Sequence, residues 1–288
     1  MRVESPTEPV KKIIRAALER AHARGKCTSR ECDDPLCAVH NEPELQEVLH
    51  SAWAAETAGG VWDSLRNSRI DLASLIDHTL LRPEATLHDI QKLCSEAITY
   101  GFASVCINPV FAASGSEMLR GTSVGLCTVI GFPLGATTTA SKVSEAENVL
   151  AAGATELDMV IPIGLLRTGV YGDVQADIER VTAAAHSGGA ICKVILETAL
   201  LNEEDKVRGA LLARRAGADF LKTSTGFSTG GATEEDVALL RGTVGNAMGV
   251  KAAGGIRTRK TALAMIASGA SRLGCSASVA IVQENPAT

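Results

Sequence analysis

The sequence predicts a (β/α)₈ TIM barrel preceded by an N-terminal helical extension, and three observations carry that prediction. From about residue 70 onward, eight short apolar runs alternate with helical patterns of ten or more residues, as in βα units around a parallel sheet. Four of the helical patterns close on Gly-Ala just before the next run, at Gly153-Ala154, Gly189-Ala190, Gly217-Ala218 and Gly269-Ala270. A glycine there can adopt the left-handed cap conformation and release the chain into a strand. Three lysines, Lys193, Lys222 and Lys251, lie inside apolar runs, each 29 residues from the next. A doubly wound open sheet would show similar caps, but eight units over about 210 residues suit closure, slightly below the usual ~250 of this barrel.

The eight runs are SLIDHT (74–79), SVCINP (104–109), GLCTVIGFP (125–133), ELDMVI (156–161), ICKVILE (191–197), DFLKTS (219–224), MGVKAAGG (248–255) and SRLGCS (271–276). Residues 1–65 follow another rule and form the extension, leaving 66–288 for the barrel. Val10, Ile13, Ile14, Ala17, Leu18 and Ala21 recur at helical spacing among charged residues, which predicts an amphipathic helix over 9–22 whose apolar stripe needs a cover. A second helical pattern runs from Pro43 to about Ala58 and stops at Gly59-Gly60.

With 288 residues and 45% apolar content, the chain can bury one large core, or one core plus a small appendage. A net charge of −5, with basic residues scattered rather than striped, excludes nucleic acid as the main partner. No apolar stretch reaches the roughly 18 residues of a membrane span. The N-terminus lacks the charged-then-apolar order of a secretory signal, so the expected location is the cytoplasm.

Of the eight cysteines, Cys94, Cys106, Cys127, Cys192 and Cys275 lie in apolar segments, where a reduced cysteine packs as a small hydrophobe. Cys27, Cys32, Cys37 and His40 instead crowd into a polar stretch. They number the ligands of a tetrahedral zinc site, and an iron–sulfur cluster is a further reading. Their wide spacing equally fits thiols in a loosely ordered linker.

In a barrel the catalytic groups stand at the C-terminal strand ends, and side chains alternate along each strand. Phe220, Lys222 and Ser224 therefore share a face, as do Lys193, Ile195 and Glu197, and Glu156, Asp158 and Val160. Neighbouring strands thus bring Asp158 and three lysines to one mouth. One reading makes the lysines structural partners of Asp158, Glu156 or Glu197. The other notes that a lysine at its reference pKa of ~10.4 is almost never neutral at pH 7. Burial and a neighbouring ammonium can lower it toward ~7–8, which yields an amine able to form a Schiff base with a carbonyl. Thr223-Ser224-Thr225-Gly226, Gly254-Gly255 and Gly274-Cys275-Ser276 add glycines after strands six, seven and eight, where barrels often hold phosphate.

Taken together, Asp77-His78-Thr79-Leu80-Leu81, Val105-Cys106-Ile107-Asn108-Pro109, Thr128 to Gly135, Lys222 to Gly226 and Lys251 to Thr258 resemble the deoxyribose-phosphate aldolases, in order, from about residue 70 to 282. The resemblance implies reversible cleavage of 2-deoxy-D-ribose 5-phosphate to D-glyceraldehyde 3-phosphate and acetaldehyde with no catalytic cofactor. By motif position Lys222 resembles the family's Schiff-base lysine, Lys251 the lysine that depresses its pKa, and Asp158 the proton relay. Gly226, Gly254, Gly255 and Ser276 match the phosphate positions. A homo-oligomer, a dimer, is also implied.

Phe227 follows the TSTG motif where some relatives carry lysine, and Arg82 stands where lysine is common. Lys193 is open between proton relay and structural pairing, and Cys106 between packing and reaction with aldehydes. The helix at 9–22 either packs on the barrel or a second subunit, or docks the enzyme to a bacterial microcompartment shell protein. Two other functions compete: a Schiff-base aldolase for a different sugar phosphate, and a silent barrel used as a scaffold.

Overall fold

A computed structural model of the chain describes residues 8–24, 32–37, 41, 43–48 and 71–284. Eight strands appear where the apolar runs predict them: β1 Ile76–Leu80, β2 Ser104–Ile107, β3 Gly125–Ile130, β4 Glu156–Val160, β5 Ile191–Ile195, β6 Phe220–Lys222, β7 Gly249–Ala253 and β8 Arg272–Cys275. All neighbours pair in parallel, and β1 pairs with β8 to close the barrel. The expected TIM barrel is the observed architecture. The strands are shorter than the apolar runs because the run ends, such as Gly131-Phe132-Pro133 and Gly254-Gly255, form the loops above the C-terminal rim.

Each strand is buried on both faces, as helix-covered parallel sheets require. Outward side chains such as Leu157, Met159, Cys192, Val194, Leu221 and Val250 join the helices in one continuous core. Inward side chains include a polar set, described below, beside a small apolar cluster of Leu81, Cys106, Cys127 and Val129. The helices begin where short polar side chains accept the first free N–H groups: Thr86, Thr138, Asn202, Thr233 and Thr258 each do so. The four Gly-Ala stops behave as expected, with φ of +100° at Gly153, +72° at Gly189, +74° at Gly217 and +117° at Gly269.

A fourth buried lysine fastens the rim. Lys142, on the helix Thr139–Ala151, is fully buried and donates to the Val160 carbonyl at 2.8 Å and to Asp177 at 2.6 Å. Thr139 also donates to Asp177, at 2.7 Å, which ties the end of β4 to two helices. Gly131 must lack a Cβ here, because one would lie 2.9 Å from the Lys142 Cε.

The predicted N-terminal helix forms over Glu8–Arg24. Its stripe of Val10, Ile13, Ile14 and Ala17, with Leu36, Leu45 and Val48, packs on Val207, Leu211 and Leu239. Those three residues lie on the outer helices Glu203–Arg215 and Glu234–Val244. Ion pairs frame the contact: Arg208 with Asp34 at 3.1 Å, Arg214 with Glu47 at 2.5 Å and Arg215 with Glu44 at 2.5 Å. The stripe's cover is therefore the chain's own barrel. Residues 43–48 are helical, and the rest of the second predicted helix lies outside the described residues. Among the described residues no helix is long and apolar enough to cross a membrane.

Ile14 is fully buried in this contact, and a carboxylate there would face apolar groups with no partner, a cost of several kcal/mol. We expect Ile14→Asp to release the extension and expose it to limited proteolysis, while the barrel retains its melting temperature to within about 2 °C. A barrel that unfolds together with the released helix would contradict this docking arrangement.

Candidate active site

Strand register assembles the inward polar set. Asp158 on β4 lies beside Lys193 on β5, Ile195 beside Lys222 on β6, Lys222 beside Lys251 on β7, and Lys251 beside Arg272 on β8. Asp158, fully buried, is the hub. Its Oδ2 accepts from Lys222 Nζ and Lys251 Nζ, both at 2.7 Å, and its Oδ1 accepts from Lys193 Nζ at 2.7 Å.

The lattice extends to residues that the sequence reading left out. Asp77 on β1 bonds Lys251 at 2.5 Å and Arg272 at 2.6 Å, and Glu156 bonds Lys193 at 2.7 Å. The mouth therefore holds more charged groups than the Asp158 and three lysines that strand alternation placed there. Four cations, Lys193, Lys222, Lys251 and Arg272, interleave with three carboxylates, Asp77, Glu156 and Asp158, among the described residues. Alternation along β1 and β8 was the available signal, since Asp77 and Arg272 have the inward parity of their strands.

Electrostatics follow from this interleaving. Burial alone would raise the pKa of Asp158, but Lys193, Lys222 and Lys251 outweigh it and hold the carboxyl well below its ordinary value. Burial likewise opposes charge on Lys251, yet Asp158 and Asp77 prevail and hold it above the ordinary lysine value. Lys193 behaves similarly, with burial overcome chiefly by Asp158. Lys193 and Lys251 thus stay charged, and Lys193 occupies the position of a structural partner to Asp158 and Glu156. Lys222 contacts a single carboxylate and also lines the cavity.

That cavity, of about 350 Å³, opens at the C-terminal rim. Gly226, Gly254, Gly255 and Ser276 line it together with Arg82 and Arg257, so the predicted phosphate residues converge. Gly254 and Gly255 have φ of +90° and +81°, conformations open to glycine. A Cβ on Gly231 would lie 2.3 Å from the Gly254 carbonyl oxygen, so the loop after β6 can fold over β7 only as glycine. Phe227 packs edge-on against Phe132 at 5.3 Å, forming an apolar rim opposite the glycines.

Cys106 and Cys127 are buried next to the lysines. Cys127 lies 3.2 Å from Asp158 and Cys106 4.0 Å from it. The hydrogen bond from Cys127 draws the Cys106 pKa down, whereas burial pushes Cys127 well up. With Asp158 they form a grouping close enough to hold a metal ion, but the Asp158 oxygens already accept from the Nζ groups of three lysines. Of the proposed N-terminal ligands, Cys32 and Cys37 are half-buried, and Cys27 and His40 lie outside the described residues.

The sequence profile of the DeoC/LacD family aldolases matches residues 71–283. This chain belongs to that family. The deoxyribose-phosphate aldolase of Bacillus cytotoxicus is 57% identical over 213 residues, 74% of this chain and 95% of the relative. That of Thermoanaerobacter pseudethanolicus is 55% identical over 216 residues, 75% of this chain and 97% of the relative. Among solved structures, the tetrameric deoxyribose phosphate aldolase of Aeropyrum pernix superposes with a TM-score of 0.70 at 37% identity, covering 83% of this chain and 96% of its own.

The ionic lattice of this DeoC/LacD aldolase sets its pH range. Asp77 and Asp158 have folded-state pKa values below their unfolded ones. Their stabilisation is fully present above about pH 4 and fades as pH falls through the folded values. Lys193 and Lys251 are raised, so theirs is fully present below about pH 10 and fades as pH rises through the folded values. Burial also lowers the pKa of His78, whose contribution fades as pH falls below about 6.5. Scanning calorimetry is expected to find melting temperatures that change little between about pH 7 and 9, ease downward as His78 protonates and drop steeply below about 4. Melting temperatures that hold level below about pH 4 would be incompatible with this lattice.

Proposed function

We propose that the chain reversibly cleaves 2-deoxy-D-ribose 5-phosphate to D-glyceraldehyde 3-phosphate and acetaldehyde through a Schiff base on Lys222. The observation that carries this reading is the placement of Lys222: the residue lines the rim cavity, and its Nζ bonds the buried Asp158, which Lys193 and Lys251 also engage.

Each step then has a group in place. The Lys222 amine adds to the C1 aldehyde of the open-chain sugar, and loss of water gives a cationic iminium beside the Asp158 carboxylate. Removal of the C3 hydroxyl proton breaks the C2–C3 bond, whose electron pair flows into the iminium to form the enamine. Glyceraldehyde 3-phosphate departs as the aldehyde. Protonation of the enamine at C2 and addition of water release acetaldehyde and restore the amine. Asp158 Oδ2, at 2.7 Å, is the acceptor closest to protons that leave and return at Lys222. Fixed charge of this kind acts without reorganisation during the reaction. Lys251, held charged by Asp158 and Asp77, shares the Asp158 Oδ2 with Lys222. Gly226, Gly254, Gly255 and Ser276 receive the phosphate at the far side of the cavity, with Arg257 alongside.

For the extension we infer an intramolecular role, supported by the seating of its apolar stripe on Val207, Leu211 and Leu239. A shell-docking helix would have to give up that contact.

Borohydride reduction in the presence of acetaldehyde is expected to add an ethyl group to Lys222, read by peptide mass mapping. Lys222→Arg abolishes labelling and turnover, and Asp158→Asn lowers kcat by on the order of 10²- to 10⁴-fold. Labelling with dihydroxyacetone in place of acetaldehyde would point to a different sugar-phosphate aldolase. Absence of any label on Lys222 would overturn the Schiff-base reading.

A further inference from the structure

Glu197 is the only non-glycine residue with positive φ among the described residues, at +58°. Glutamate has no local side-chain contact that favours the left-handed region, so the surrounding structure must impose it. The cause is a bulge just past the end of β5. Leu196 N–H donates to the Lys222 carbonyl at 3.0 Å, and Thr198 N–H donates to the Thr223 carbonyl at 2.9 Å. In a regular parallel ladder these two donors, two residues apart, would reach carbonyls two residues apart; here they reach consecutive ones. Glu197 is the extra residue, and bulges of this kind re-aim a side chain next to active sites.

The re-aimed carboxylate is buried, with only 2% exposure. It meets none of the lysines with which the sequence reading paired it. Its Oε2 accepts from the Thr225 N–H at 3.2 Å and from the Thr225 hydroxyl. The Thr225 hydroxyl oxygen in turn accepts from the Phe227 N–H at 3.1 Å. The residue between these two pinned amides is Gly226, which lines the cavity at φ +85°. Glycine loses more conformational freedom on ordering than any other residue, and this one stands where the phosphate is to be received.

We propose that Glu197 is a positioning residue for the phosphate subsite: through Thr225 it fixes Gly226 in the anion-receiving conformation before substrate arrives. The inference rests on the aldolase reading above. Preorganisation of this kind acts on binding of the phosphorylated end and leaves the chemistry at Lys222 alone.

The test compares wild type, Glu197→Ala, Glu197→Gln and Thr225→Val on 2-deoxyribose 5-phosphate and on unphosphorylated 2-deoxyribose, together with acetaldehyde trapping by borohydride. We expect Glu197→Ala to raise KM for the phosphorylated sugar about tenfold with kcat within about twofold. Its kcat/KM for 2-deoxyribose and its trapping at Lys222 should match wild type. Glu197→Gln keeps an acceptor oxygen at the same reach and should bring KM back to within about threefold of wild type. Thr225→Val reads the same link from the other side and should raise KM for the phosphorylated sugar, which keeps the test open where the alanine variant fails to fold.

Any one of three results overturns the proposal: an unchanged KM, an equal loss on both sugars, or no recovery with glutamine. Failure of the aldolase reading is distinguishable, since wild type itself would then trap no acetaldehyde on Lys222.

Discussion

Asp158 is sealed from water at the centre of the barrel, and the Nζ groups of three lysines converge on its two oxygens. An isolated carboxylate at that depth would be protonated or would destabilise the fold. Paired on every side, it stays ionised, and its own charge keeps Lys193 and Lys251 protonated in return. The arrangement is reciprocal: neither the acid nor the bases could be buried alone. Asp77, Glu156 and Arg272 extend the alternation of sign until the lattice reaches the strands on both sides of the β1–β8 seam. Lys222 sits at the edge of this lattice, touching it through one carboxylate oxygen and lining the cavity.

The barrel is what makes such a lattice affordable. Outward residues of the same strands, such as Leu157, Val194, Leu221 and Val250, bury apolar surface against the helices. The inward positions are therefore released from the task of holding the fold together and can carry charge. Lys142 and Asp177 play a parallel part outside the barrel wall, where a buried pair secures the end of β4 just beyond Asp158. Removing one member of such a pair leaves the other uncompensated, so these positions hold geometry as much as stability.

Much of this was legible in the residues. The 29-residue lysine period and the Gly-Ala stops are direct consequences of one βα unit repeating, and both foretold the barrel and the convergence on one mouth. Strand alternation placed Asp158 with Lys193, Lys222 and Lys251 correctly. Asp77 and Arg272 were missed because their strands were read as a motif and as a glycine turn, although the same alternation rule applied to them. Glu197 is a different kind of miss. Alternation grouped it with Lys193, but a bulge changes parity, and nothing in LETAL announces an extra residue in the ladder. The partner of the N-terminal stripe was also hidden, because Val207, Leu211 and Leu239 look like ordinary barrel-facing helix residues. They serve a second surface, one that only the folded arrangement of the two helices creates.

The site divides its two tasks between two kinds of structure. In the proposed reaction, chemistry at Lys222 depends on charges mounted on the strands themselves, buried and braced from several directions. The proposed recognition of the phosphate rests on glycines in loops, whose backbone can approach an anion closely but which lose the most conformational freedom on ordering. A loop of that composition needs an outside restraint, and the close fit of Gly231 under the Gly254 carbonyl supplies one. The bulge at Glu197 supplies another, and it springs from the carbonyl of Lys222 itself. Leu196, the neighbour of Glu197, donates its N–H to the Lys222 carbonyl, so in the proposed reaction the spacing between amine and anion loop is set by the barrel wall rather than by the loops.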